Sequence, residues 1–260
     1  MLLRRKASSG AAPAAASPAK PKVDAAALEK AFEALKTYDY GTNRAALMPL
    51  DDAVVACLDD AGSRRGLEKR LVGVLKADVS PLAKEFVCRK LSLIGSAQSA
   101  AALADLLAEP KLSHWARSAL EHIPGSKAAK ALRRSLPNLR GLEKIGVIHS
   151  LGVRRDAASA SALASVLDDP DTQIAGAAAA ALGDIGTAEA ARVLLKSQPH
   201  APDTIRLVVA DACLSCAEHL LSAGKKTVAA AIYKALAGSA QPEHVRIAAT
   251  RGLSIAVGKK

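Results

Sequence analysis

The sequence predicts an all-α fold: a right-handed solenoid of stacked antiparallel helix pairs, about six of them, with one longer pair near the C-terminus. Three observations predict it. A motif of small residues, a leucine and a helix-ending glycine returns about every 30 residues. Leu91, Leu120, Leu151, Leu182, Cys213 and Leu253 hold the same place in successive copies, at intervals of 29, 31, 31, 31 and 40 residues. Self-similarity at such a period marks stacked supersecondary units. No stretch alternates apolar and polar residues with period two, as a half-buried strand requires. Half of the residues are apolar but only 2% are aromatic. Alanine and leucine must therefore supply a thin, even core, which suits closely packed helices.

Taken in order, residues 1–23 are largely Ala, Pro, Ser, Gly and Lys. They read as a disordered tail or the remnant of a targeting sequence. Residues 24–79 form an atypical N-terminal helical unit. Asp24 caps a helix that places Ala27, Leu28, Ala31, Phe32 and Leu35 on one face. A polar turn at Tyr38–Gly41 follows, then helices over about Arg44–Leu58 and Arg65–Leu75. Residues 80–260 carry the regular units. Ser80 caps a helix with Pro81 in its first turn; Phe86, Val87, Leu91 and Ile94 form its apolar face and Gly95 stops it. The next helix holds Ala100, Ala101, Leu103, Leu106 and Leu107, and its partner runs from Ser113 to the Ile123-Pro124-Gly125 stop. Helices follow over Ala128–Leu136, Leu142–Leu151, Ala157–Leu167, Ile174–Leu182 and Ala188–Leu195, divided by Gly, Pro or Asp-Pro. Thr204–Ser222 and Lys225–Leu236 make the longer pair, tetratricopeptide-like in length. A last helix runs from Glu243 through Leu253 with no partner helix after it, so the array is expected to be truncated at its C-terminus.

The formal net charge is +11, which favours nucleic acid, acidic protein or an anionic surface as partner. The four cysteines, Cys57, Cys88, Cys213 and Cys216, make no disulfide framework in a chain of this length. No run of apolar residues is long enough for a membrane span. The compartment is not fixed by these features. Cytoplasm is the default expectation; the bacterial periplasm or export is the alternative, if Met1–Lys6 and Ala14-Ala15-Ala16-Ser17 are what remains of a secretory signal.

Val245–Leu253 resembles the second helix of a short bacterial HEAT repeat, and Asp171–Gly186, with its Leu-Gly-Asp-Ile-Gly ending, resembles another. The resemblance covers residues 80–255. Ala83–Arg89, Trp115–Glu121 and Ile145–Asp156 are further similar to bacterial HEAT-repeat proteins of undefined function, built on the short repeat that bilin lyases also use. Members of that group are commonly exported. The resemblance implies a binding scaffold and names no ligand. HEAT repeats often carry a basic residue near the opening of the second helix. Here that place holds Lys84, Ser113, Lys144, Ala175, Arg206 and Arg246, an interrupted ladder rather than a continuous stripe.

Candidate chemistry is sparse. Cys213-Leu214-Ser215-Cys216 is a C-x-x-C, but Ala217 stands where a c-type haem site needs histidine. With His219 it offers three residues swept round one helix, where zinc needs four converging ligands. Buried core thiols are the expectation. The di-iron hydroxylases built on HEAT repeats use His-Glu. This chain has only the reverse order, at Glu121-His122, Glu218-His219 and Glu243-His244, and reversal turns each side chain by about 100° round the helix. Beyond the shared repeat, nothing selects a bilin-lyase pocket. One tryptophan, Trp115, and three tyrosines are thin material for a HEAT-like DNA glycosylase, which handles flipped bases by stacking. No catalytic residue, metal or cofactor is expected.

Charge is unevenly placed. Lys111–Arg155 holds ten basic residues against Glu121 and Glu143, net +8; Asp156–Asp211 holds eight acids against three bases, net −5. The candidate partner contacts are Lys84, Arg89, Arg117, Lys144, Arg154 and Arg155. Arg154 and Arg155 also read as structural, following a helix C-terminus, with Asp156 as the next N-cap. The expectation is a non-enzymatic scaffold whose inner helices bind another protein, acidic in character. The first alternative is a binder of nucleic-acid backbone or another polyanion through residues 111–155, with single strands disfavoured by the scarcity of aromatics. A HEAT-type bilin lyase or metal-dependent hydroxylase comes last, and the competing reading of the basic segment is a solvated outer face.

Overall fold

The structure, a computed structural model, describes residues 21–238 and 240–258. The tail expected over residues 1–23 lies outside the described residues except for its last three. Among the described residues there are fourteen α-helices and no strand: α1 (Ala25–Lys36), α2 (Met48–Ala56), α3 (Ala61–Leu75), α4 (Pro81–Ile94), α5 (Ala100–Ala104), α6 (Ser113–His122), α7 (Ser126–Ser135), α8 (Gly141–Val153), α9 (Ala160–Ala164), α10 (Thr172–Ile185), α11 (Ala188–Ser197), α12 (Asp203–Ser222), α13 (Lys226–Leu236) and α14 (Glu243–Ala256).

Local chemistry sets these boundaries. Asp24, Asp60, Ser80, Asp171 and Thr187 each accept a hydrogen bond from a first-turn backbone N–H, satisfying donors that the helix itself leaves free. Pro49 and Pro81 sit in first turns, where no N–H is needed. Two elements are shorter than the periodicity predicts. The apolar runs 100–107 and 157–167 stay α-helical only through α5 and α9, of five residues each. Beyond α5 the chain tightens into i to i+3 turns, with Leu106 and Leu107 donating to Leu103 and Ala104. That tightening buries both leucines and leads the chain towards Pro110.

The helices stack in two layers. In one, α4, α6, α8, α10 and α12 lie side by side in chain order, and α14 closes on α12 and α13. In the other, α3 packs on α5, α5 on α7, α9 on α11 and α11 on α13. At the N-terminal end, α2 and α3 both rest on α4. This is an α-solenoid of antiparallel helix pairs. Its seam is the recurring residue: Leu91, Leu120, Leu151, Leu182 and Cys213 are all fully buried, each leucine contributing about 1.5–3 kcal/mol. Leu253 is only half-buried; in that last turn the ring of Tyr233 lies on Gly252 instead. Small residues set the spacing. A Cβ added at Gly183 would come within 2.8 Å of the Ala212 carbonyl oxygen, so α10 and α12 approach as closely as backbones allow. Among the described residues no helix is long and apolar enough to cross a membrane.

Candidate functional site: a basic groove between α5 and α7

Three of the cations expected to meet a partner are spent inside the stack. Arg154 Nη1 donates to the carbonyls of Leu120 (2.5 Å), Glu121 (2.8 Å) and Ile123 (2.7 Å), and Nη2 to that of Gly125 (2.7 Å). One guanidinium thus gathers the end of α6 and the turn after it, where the helix dipole is negative. Arg117 lies flat on Gly146, where an added Cβ would come within 2.5 Å of its guanidinium. It donates to the Gly146 carbonyl (3.2 Å) and Ser150 Oγ (3.4 Å), and Ser150 Oγ donates to Glu121 (2.6 Å). Burial pulls the pKa of both arginines down, countered in part by nearby carboxylates: Glu121 and Glu143 for Arg117, Asp156 and Glu121 for Arg154. Lys144 Nζ pairs with Asp169 at 2.6 Å, and that hydrogen bond holds Asp169 below the usual carboxylate range. These contacts join consecutive units. Arg117, Lys144 and Arg154, named as candidate partner contacts, thus bond within the stack, and for Arg154 this is the structural role its place after a helix also implied.

The other candidates are dispersed. Arg89 pairs with Glu85 at 2.6 Å and lies over the Trp115 ring, 4.2 Å from its centroid. Lys84 is half-buried on the same helix. Arg155 stands in the left-handed region (φ 47°), with Nη2 3.4 Å from His219 Nε2 on α12. Asp156 does not cap with its side chain; its carboxylate accepts from Arg133 and Ser159.

Further cations of the basic segment, outside those candidates, carry no ion pair among the described residues, and three of them share one helix. Lys127, Lys130 and Arg134 occupy positions i, i+3 and i+7 of α7, which share one helix face. All three are exposed, and among the described residues none forms an ion pair. They form one wall of a groove of about 620 Å³ between α5 and α7. Its floor is alanine: Ala97, Ala100, Ala101, Ala104 and Ala108. Asp105 is the one acid among the lining residues. A sequence signal for this wall exists: no Asp or Glu lies three or four residues from any of the three cations, so nothing on their own helix can neutralise them.

Elsewhere the chemistry-bearing residues do not assemble. Cys213 and Cys216 are buried in the seam, and burial pushes their thiols up to about 12 and about 11. His122 Nδ1 is 2.7 Å from the Ser118 carbonyl, Glu121 accepts from Ser150, and His219 lies beside Arg155. Among the described residues no three His, Cys, Asp or Glu side chains come together as a metal-holding group.

Fold and groove together define a helical-repeat solenoid with a basic groove on one layer. No family model matches the chain, and no curated protein does. Among solved structures it aligns with human deoxyhypusine hydroxylase in complex with glycerol, at 15% identity over 89% of this chain and 95% of that chain, with a TM-score of 0.36. So low a similarity transfers no substrate and no residue role. It does correct the expectation of a non-enzymatic scaffold. That expectation took a helical rod to have no catalysis, whereas the aligned protein is by its name an enzyme.

Proposed function

We propose that this chain binds an anionic partner in the α5–α7 groove, through Lys127, Lys130 and Arg134. The observation that supports the reading is that these three cations line one wall of the groove without an ion pair among the described residues, while their neighbours Arg117, Arg133, Lys144 and Arg154 are all engaged. Their positive field adds over about 10 Å, comparable to the screening length in physiological salt. The finer repeat type we infer is the short bacterial HEAT repeat, on the strength of Asp171–Gly186 and Val245–Leu253.

Fluorescence anisotropy with labelled polyglutamate and with a labelled DNA duplex tests the reading. For the duplex, affinity falls with salt on a log–log slope of roughly −2 to −3, as about three neutralised phosphates imply. The triple variant Lys127→Glu/Lys130→Glu/Arg134→Glu keeps its helicity and loses binding. Unchanged affinity in that variant rejects the groove as the site.

A further inference from the structure

We infer that the occupant of the groove is an acidic amphipathic helix, laid along α7 with its carboxylates on Lys127, Lys130 and Arg134 and its apolar side chains on the alanine floor. The inference rests on the groove being an anion site, as proposed above, and adds the class of partner.

Three features of the groove support it. The cations have helical spacing: from Lys127 to Arg134 they span about 10.5 Å along α7, two turns at 1.5 Å per residue. Carboxylates at i, i+3 or i+4, and i+7 of a second helix repeat that spacing. The floor is apolar and low. Ala97, Ala100, Ala101, Ala104 and Ala108 project one methyl each, so a helix can settle close to α5 and bury leucine-sized side chains there. The alanine floor offers a phosphate no donor, although Ser135 and Asn138 also line the groove. The walls also decide between backbones. Both are helices whose backbone groups are largely bonded within themselves, so an extended peptide would find few partners for its own N–H and C=O groups. A helix satisfies them internally. Asp105, the lone acid among the lining residues, gives the groove a polarity and selects a basic residue on the far flank of the incoming helix.

The probe is a capped synthetic peptide of about 14 residues, about four helical turns, with Glu at i, i+3 and i+7 and Leu on the adjoining face. The comparators are a scrambled peptide of the same composition, polyglutamate, pyrophosphate and a DNA duplex. The designed peptide is expected to gain helicity on binding and to bind about tenfold or more tightly than its scramble. Ala101→Gln/Ala108→Gln fills the exposed rim of the floor without changing charge. It is expected to weaken the designed peptide about tenfold and polyglutamate by clearly less. Equal binding of the scramble, or tighter binding of duplex or pyrophosphate than of the designed peptide, overturns the helix as occupant while the anion site stands. Failure of every anion to bind overturns both.

Discussion

A guanidinium that donates to four backbone carbonyls is committed to the stack rather than turned towards a partner. Arg154 shows why single positions were the least legible part of this sequence. Its charge, its place after a helix and its neighbour Arg155 were all visible, but its target is a turn some thirty residues upstream, and no local pattern reports that distance. Lys144 and Arg117 hid in the same way. Arg154→Met is expected to cost about 2–3 kcal/mol of stability, since bonds to a charged donor are worth more than neutral ones. Arg154→Lys should not recover it, because an ammonium lacks the planar fork; urea unfolding of both variants measures this, and a lysine variant of full stability would refute the role. The thiols give a second expectation. The folded chain keeps Cys88 and Cys213 protonated to about 12 and Cys216 to about 11, against an ordinary value of 9.0. Unfolding frees them to ionise near 9, so this contribution is intact below that pH and is lost as pH rises through the folded values. Urea midpoints should therefore drop between about pH 8 and about pH 10.5, and drop less in Cys213→Ala/Cys216→Ala.

Helices were far more legible than residues, because their boundaries are written locally. Asp24 and Ser80 were readable as caps, and the helices start where those residues place them. The misreadings were α5 and α9, where apolar runs long enough for about two and three turns make about one and a half. Periodicity marks which residues are buried; it does not say whether four-residue or three-residue hydrogen bonding buries them. Close approach between helices was equally invisible. Gly183 sits inside α10, where alanine would gain about 1 kcal/mol of helix propensity. Gly183→Ala is nonetheless expected to destabilise by about 1–3 kcal/mol, because the new methyl meets the Ala212 backbone. A higher melting temperature for this variant would show that α10 and α12 can separate at no cost.

At the scale of the whole molecule the recurring leucine carried the fold, and it did so because stacking repeats one packing solution. Five of the six marked positions are fully buried. Leu182→Asp would place a charge in the middle of that seam; loss of cooperative unfolding, read by circular dichroism, is the expected result, and a folded variant of ordinary stability would contradict the seam. The groove was only half legible. The net +8 of residues 111–155 was countable, but counting cannot separate cations engaged within the stack from cations facing outward. That division needs the partners of Arg117, Arg133, Lys144 and Arg154 to be seen.

Nearly all the polar links described join neighbours in the stack, but Arg155 reaches His219 across 64 residues, from the turn after α8 to α12, past α10. The contact is long and exposed, so it marks where α8 and α12 come together past the end of α10 and adds little to the packing that holds them.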